Sequence, residues 1–171
     1  RTLPIIITYN NFRPKYDICN FNGDGKKELF VFKEKEGSNN KEIYYYPDIM
    51  GDPEVITITQ SMYNGQENPI MNVMAMDLNN DGRTDLIALC KYNLKIFYNK
   101  TGYDDYYNQK YFKSSPDYIN NDFTYKNGDA YFKVYPGDYN GDGLIDLLTY
   151  RPDHTWRLLK NIDGSFVTSM I

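Results

Sequence analysis

The chain has 171 residues, 41% of them apolar and 16% aromatic with 18 tyrosines, which is enough to bury a core and is not a disordered composition. Its formal charge is −4, from 23 acidic and 19 basic residues, and no basic stripe or run interrupts it, which disfavours nucleic acid as a partner. No apolar run approaches the ~20 residues of a membrane span, and no signal-peptide pattern opens the chain.

In chain order, the first clear element is the apolar run Leu29–Phe32, followed by Glu42–Tyr46 and Val55–Thr59. Next come Val73–Met76, Leu86–Leu89 and Leu94–Tyr98, and later Tyr131–Tyr135, Leu147–Tyr150 and Trp156–Leu159. The runs at 29, 86 and 147 do not alternate polar with apolar, so they predict strands covered on both faces. The runs that follow them are rich in aromatic and β-branched residues and often alternate, as half-buried strands do. Asn, Gly, Asp and Pro punctuate the chain too often for helices. The stretch from Tyr103 to Phe123 is Tyr-rich and is placed only loosely between strands.

One acidic pattern precedes each of the three apolar runs. It reads Asn20-Phe21-Asn22-Gly23-Asp24-Gly25-Lys26-Lys27-Glu28, then Asp77-Leu78-Asn79-Asn80-Asp81-Gly82-Arg83-Thr84-Asp85, then Asp138-Tyr139-Asn140-Gly141-Asp142-Gly143-Leu144-Ile145-Asp146. The copies start at 20, 77 and 138, so they are 57 and then 61 residues apart. Oxygen-bearing side chains stand at positions 1, 3, 5 and 9, and Gly at position 6 permits a sharp bend. Such a set suits a hard cation such as Ca²⁺, which takes six to eight oxygens. The expected ligands are Asp77, Asn79, Asp81 and Asp85 in the second loop, Asp138, Asn140, Asp142 and Asp146 in the third, and Asn20, Asn22, Asp24 and Glu28 in the first. The position 7 carbonyls of Lys26, Arg83 and Leu144 add one oxygen each. The first loop is the weakest, because Asn20 replaces the leading Asp and Glu28 the closing one.

Two other readings compete. A helical calcium hand shares positions 1, 3, 5 and 6, yet requires a Glu at position 12. Position 12 here is Val31, Ala88 or Thr149, each inside an apolar strand. Simple Asn-Gly and Asp-Gly hairpin turns would explain one loop, but not an acid at position 9 in all three. Clustered carboxylates repel one another unless a cation offsets them.

Four short antiparallel strands per ~60-residue period is the signature of a β-propeller blade. The expected fold is therefore all-β, with about three blades or fewer of about four strands each, forming a partial or open propeller. It is expected as one repeat domain over 1–171, with units at 16–72, 73–133 and an incomplete 134–171. A β-sandwich is the alternative.

The units resemble the FG-GAP or VCBS repeats of integrin α-subunit propellers and of many secreted bacterial proteins. The third copy carries the resemblance furthest, from Pro136-Gly137-Asp138 through Tyr150, and on through Trp156-Arg157-Leu158-Leu159-Lys160-Asn161-Ile162-Asp163-Gly164-Ser165-Phe166. That stretch is similar to repeats of SpvB and insecticidal-toxin-complex proteins, and Asn99-Lys100-Thr101-Gly102 keeps part of its ending. The resemblance implies structural Ca²⁺ in the acidic loops, up to three ions in all. It implies no catalysis by the repeats, a secreted or cell-surface location, and a protein or carbohydrate ligand. It also implies association with the rest of a larger propeller or another subunit. A scaffold role in a larger secreted toxin or hydrolase is the alternative. The chain starts at Arg1 rather than Met, which reads as a mature product or an excised piece.

Chemistry-bearing residues outside the loops are few. His154 is the only histidine and falls in a turn. Asp104, Asp105, Asp117 and Asp122 are glycosidase candidates by residue type alone. Tyr103, Tyr106, Tyr107, Tyr111, Phe112 and Tyr118 read either as a sugar- or protein-binding surface or as packing between blades. Cys19 and Cys90 hold non-equivalent places in the repeat and are expected as free, buried thiols. Asn99-Lys100-Thr101 forms an N-glycosylation sequon.

Overall fold

The computed structural model describes residues 15–34, 41–58, 61–100, 111–113, 115–121, 133–150 and 154–170. Among them there is no helix. Fourteen strands make three four-stranded antiparallel sheets and one hairpin. The first sheet runs β1 (Lys15–Cys19), β2 (Glu28–Glu34), β3 (Lys41–Tyr46), β4 (Glu54–Ile58), each strand beside its sequence neighbour. The second contains β7 (Ile70–Met76), β8 (Asp85–Cys90), β9 (Leu94–Phe97) and β10 (Tyr118–Asn120), and the third β11 (Lys133–Gly137), β12 (Asp146–Tyr150), β13 (Trp156–Ile162) and β14 (Ser165–Met170). Between the first two sheets lies the hairpin β5 (Ser61–Tyr63) with β6 (Gln66–Asn68). The sheets form an open array of propeller-type blades.

Each acidic loop joins the first strand of a sheet to the second, so the three loops occupy one equivalent place. Two further turns follow from residue type. Asn64-Gly65 and Asp163-Gly164 both have positive φ at both positions, the geometry that lets a two-residue turn follow strand twist.

The sheets stack face to face through two cores. Phe30, Phe32, Ile43 and Tyr45 of the first sheet meet Val73, Leu86, Ala88 and Phe97 of the second. The opposite face of the second sheet, with Ile87, Leu89, Leu94 and Ile96, meets Leu147, Leu159 and Phe166 of the third. This explains a difference from the sequence expectation. All six residues of β8 are buried, as a strand covered on both faces requires. In β2, however, Phe30 and Phe32 are buried whereas Leu29 and Val31 are half-buried, and in β12 Leu148 and Tyr150 are likewise half-buried. The apolar runs are alike; only the middle sheet has a neighbour on each side.

The Tyr-rich stretch divides. Tyr111 and Phe112 are buried in the first core, with ring centroids 5.1 and 5.4 Å from Phe21. Tyr118 lies in β10 and packs on Phe166 at 5.5 Å. For these three rings the packing reading holds rather than the binding surface. Tyr103, Tyr106 and Tyr107 lie outside the described residues, as do Asp104, Asp105 and Asp122. Cys19 and Cys90 are free and buried, as expected, and burial pushes each thiol up to about 11.

Ile87 is fully buried between the second and third sheets. Ile87→Ala is expected to lower unfolding stability by about 2–5 kcal/mol. Tyr16→Ala, on the outer face of the first sheet where the ring is 75% exposed, should change it by no more than about 0.5 kcal/mol. Urea denaturation of the two variants measures both.

Candidate functional site: the acidic loops and the seams between blades

Positions 1, 3 and 5 converge within each loop. In the second, Asp77 Oδ1 and Asn79 Oδ1 both accept the Asp81 N–H at 3.1 Å, and Asp77 Oδ2 accepts the Gly82 N–H at 2.8 Å. Asp81 Oδ1 in turn accepts the Arg83 N–H at 2.9 Å. The third loop repeats this. Asp138 accepts from Gly141, Asp142 and Gly143 at 2.6, 3.2 and 2.9 Å, Asn140 from Asp142 at 3.0 Å, and Asp142 from Leu144 at 2.8 Å. Glycines take the positive φ that this curl needs, at 82° for Gly82 and 88° for Gly143. The Gly143 N–H above all, with those of Gly141, Asp142 and Asn140, holds the exposed Asp138 carboxyl below its ordinary range.

Position 9 behaves differently. Its carboxyl turns out of the loop and into the protein. Asp85 is fully buried, and its two oxygens accept the Leu78 N–H and the Asn99 N–H, each at 2.8 Å. Asp146 does the same with Tyr139 at 3.1 Å and Asn161 at 2.8 Å, and Glu28 accepts the Phe21 N–H at 2.6 Å. The closing acid therefore clamps loop to strand. Burial pushes the Asp85 carboxyl up to about 7, reinforced by the charges of Asp81 and Asp77 and opposed by its two N–H donors.

The residues whose backbones meet the closing acids carry a second contact, and it crosses between sheets. The Asn99 side-chain amide donates to the Phe21 carbonyl of the first loop at 2.6 Å and to the Thr84 carbonyl of its own loop at 3.1 Å. The Asn161 amide donates to the Leu78 carbonyl of the second loop at 2.6 Å and to the Ile145 carbonyl at 3.1 Å. Each Asn is buried, and each latches its own loop onto the loop of the preceding blade. Sequence reasoning saw these two asparagines only as part of a recurring strand ending. The usable signal was Asn-x-x-Gly at a fixed place after the closing acid, at 99–102 and 161–164. The sequon at Asn99 is thereby closed to glycosylation in the folded chain, since its amide is 1% exposed and already donates two hydrogen bonds.

The first seam has extra bonds. Asn20 Nδ2 donates to the Gly82 carbonyl at 2.6 Å, and the Asn20 carbonyl accepts both the N–H and the hydroxyl of Thr84, at 2.9 and 3.0 Å. An Asp at position 20 could not donate. The Asn that weakens the first loop as a cation site strengthens it as a joint. Gly23 belongs to the same seam: a Cβ there would meet Arg83 Cγ at 2.8 Å.

The donor chemistry of the second and third loops fits a hard cation in part. Asp77, Asn79 and Asp81, like Asp138, Asn140 and Asp142, present carboxylate and amide oxygens on the exposed side of the loop. A carboxylate has about four lone-pair sites, so N–H contacts leave capacity for coordination. The closing acids do not join this group, because their oxygens are aimed at backbone N–H groups inside the fold. Among the described residues, no three His, Cys, Asp or Glu side chains are gathered as a metal-holding cluster.

The other chemistry-bearing residues have structural engagements. His154 sits in the turn between β12 and β13, its Nδ1 2.7 Å from the Tyr150 hydroxyl. Asp117 accepts the Tyr98 N–H at 3.0 Å and pairs with Lys100 and Lys113 at 3.0 and 3.1 Å. Burial works to raise the Asp117 carboxyl, but these donors outweigh it and hold it low.

Two outcomes follow from the clamp and the latch. Asn161→Ala leaves two carbonyls without their donor, and each is expected to lose about 1–3 kcal/mol, read as a lower urea midpoint. Asp85 gives a pH signature in EDTA. Its folded value, about 7, lies above the unfolded value near 4. Below about pH 4 both states hold the proton; between about 4 and 7 only the folded state does, so stability falls as pH rises, then levels off. The difference between wild type and Asp85→Asn, measured by urea denaturation across that window, should carry this slope.

Comparison with known proteins agrees with the geometry. Residues 20–88 and 77–149 each match the family model of the FG-GAP-like repeat. The chain is 26% identical to a T-cell immunomodulatory protein homolog of Plasmodium yoelii yoelii, over 88% of this chain and 23% of that protein. It is 25% identical to a T-cell immunomodulatory protein homolog of Plasmodium falciparum (isolate 3D7), over 84% of this chain and 22% of that protein. The chain thus spans less than a quarter of the curated relatives it matches. With both matches centred on the acidic loops and the strands they join, the chain belongs to the FG-GAP-like repeat family.

Proposed function

We propose that this chain is a non-enzymatic blade segment of a recognition or adhesion propeller, and that Ca²⁺ binds at its second and third acidic loops. The observation that carries this reading is the equivalent placement of those loops. Both present the same exposed oxygens at positions 1, 3 and 5, while their closing acids and latching asparagines hold neighbouring blades together. A cation there neutralises the clustered carboxylates and tightens the same joints. The first loop contributes structure more than binding, since Asn20 gives its amide to the second loop. The partner class is a protein or carbohydrate, met outside the cell. Extracellular calcium modules work at dissociation constants near 10⁻⁴–10⁻³ M, a range that exposed, partly acidic loops suit.

Calorimetry and thermal unfolding test the cation directly. At Ca²⁺ about 100-fold above the dissociation constant, one site adds about 2.7 kcal/mol, roughly 5–10 °C in Tm for a chain of this size. Asp77→Asn and Asp138→Asn should each remove part of that shift, and Asn20→Asp should not be required for it. No heat and no Tm change at millimolar Ca²⁺ would sink the cation reading. A glycan array and a cell-surface binding assay, both blank in the presence of Ca²⁺, would count against recognition.

A further inference from the structure

The third sheet has one covered face and one open face. Its covered face carries Leu147, Leu159 and Phe166 against the second sheet. Its open face carries Tyr135, Leu148, Tyr150, Trp156, Ile162 and Val167. Tyr135 and Trp156 are each 41% exposed, and Ile162 and Val167 are 55% and 53% exposed. The rings form a row across three strands, with Trp156 4.9 Å from Tyr150 and 5.8 Å from Tyr135.

Strand register shows what this face corresponds to. Counted from the closing acid, Leu148, Tyr150 and Trp156 stand where Ile87, Leu89 and Leu94 stand in the second sheet. Those three are buried under the next blade. The loop edge tells the same story. The carbonyls of Phe21 and Leu78, at position 2 of the first and second loops, each receive an asparagine amide from the next blade. Tyr139 holds position 2 of the third loop, and no described residue donates to its carbonyl.

Register also locates the latch position in the first sheet. Leu29 pairs with Tyr46, as Leu86 pairs with Phe97 and Leu147 with Leu159. Two residues past these partners stand Asp48, Asn99 and Asn161, each three residues before a glycine. Asp48 has no amide to donate, and its Oδ1 already accepts the Met50 N–H at 2.9 Å. A carboxylate presented to a backbone carbonyl is acceptor against acceptor.

We propose that the open face of the third sheet is the docking face for a further blade of this kind that carries an asparagine latch for the Tyr139 carbonyl, and that Asp48 bars the first blade of a second copy from that seat. The argument is continuity: two seams of identical construction already exist in the chain, and the third sheet displays the acceptor half of another. The same logic gives negative design against head-to-tail polymerisation, the hazard of any heterologous interface that does not close. The inference is independent of the cation, so its test runs in EDTA.

Trp156 is the only tryptophan and lies in the middle of the face, so its fluorescence reports docking. The chain is extended after Ile171 with a duplicate of its own residues 59–121, which includes Asn99 and no tryptophan. The expected result is a blue-shifted Trp156 emission and loss of acrylamide quenching relative to the unextended chain, with quenching restored by Asn99→Asp in the duplicate alone. An extended chain that gains strand signal by circular dichroism yet leaves Trp156 as quenchable as before overturns the proposal, as does equal protection by the Asp variant. The unextended chain supplies a second arm that does not depend on the duplicate folding. By sedimentation, Asp48→Asn should associate with concentration and protect Trp156, while wild type stays monomeric. A monomeric Asp48→Asn chain, or a wild type that associates through Trp156, overturns it as well.

Discussion

The structure depends on a buried joint where three chain segments meet: a closing acid, the loop it ends, and an asparagine from the next strand but one. The acid binds two backbone N–H groups, and the asparagine spends its own N–H on the acid and its side-chain amide on two carbonyls, one of them in the preceding blade. Every partner in this joint is buried, so each lost contact leaves an unsatisfied polar group rather than one that water can serve. Apolar stacking supplies most of the burial between sheets, but it is non-directional. The joint supplies direction: it fixes which loop sits on which, and at what register.

Such an arrangement divides the labour within one nine-residue loop. Position 9 works inward, holding strands; positions 1, 3 and 5 work outward, with oxygens that face solvent and suit a cation. The middle loop serves two seams at once, its Thr84 end receiving the first blade and its Leu78 carbonyl receiving Asn161 of the third. A ligand that rigidifies one loop therefore acts on the joint between blades as well as on its own hairpin. This is how a small structural cation site would stiffen a recognition surface some distance away.

Much of the fold was legible in the sequence because the blade marker is local. Runs such as Leu86–Leu89 beside Gly82 and Asp85 state both strand and turn, and Val31, Ala88 and Thr149 at position 12 rule out a helical calcium hand. What was not legible is relational. β1 and β10 are short and carry no strong period, so only their partners β2 and β9 define them. Leu29 and Leu86 look alike in sequence, yet only the middle sheet is covered twice. The Tyr-rich stretch could not be assigned because a ring that binds and a ring that packs have the same chemistry; Tyr111 and Phe112 are decided by Phe21, ninety residues upstream. The closing acid is the clearest case. Its spacing indicates an oxygen ligand, and only the placement of Leu78 and Asn99 shows that its oxygens point into the fold.

The most direct measure of the joint is native-state amide hydrogen exchange in EDTA, resolved at the N–H groups of Phe21, Leu78, Thr84, Asn99, Tyr139 and Asn161. If buried acids and asparagines hold the blades together, these amides, though in or beside loops, should open only with the free energy of the core strand β8, at or near global unfolding. If they instead exchange as freely as solvent-facing loop amides such as that of Asp142, the joint is not formed in solution, and the blades are held by apolar stacking alone.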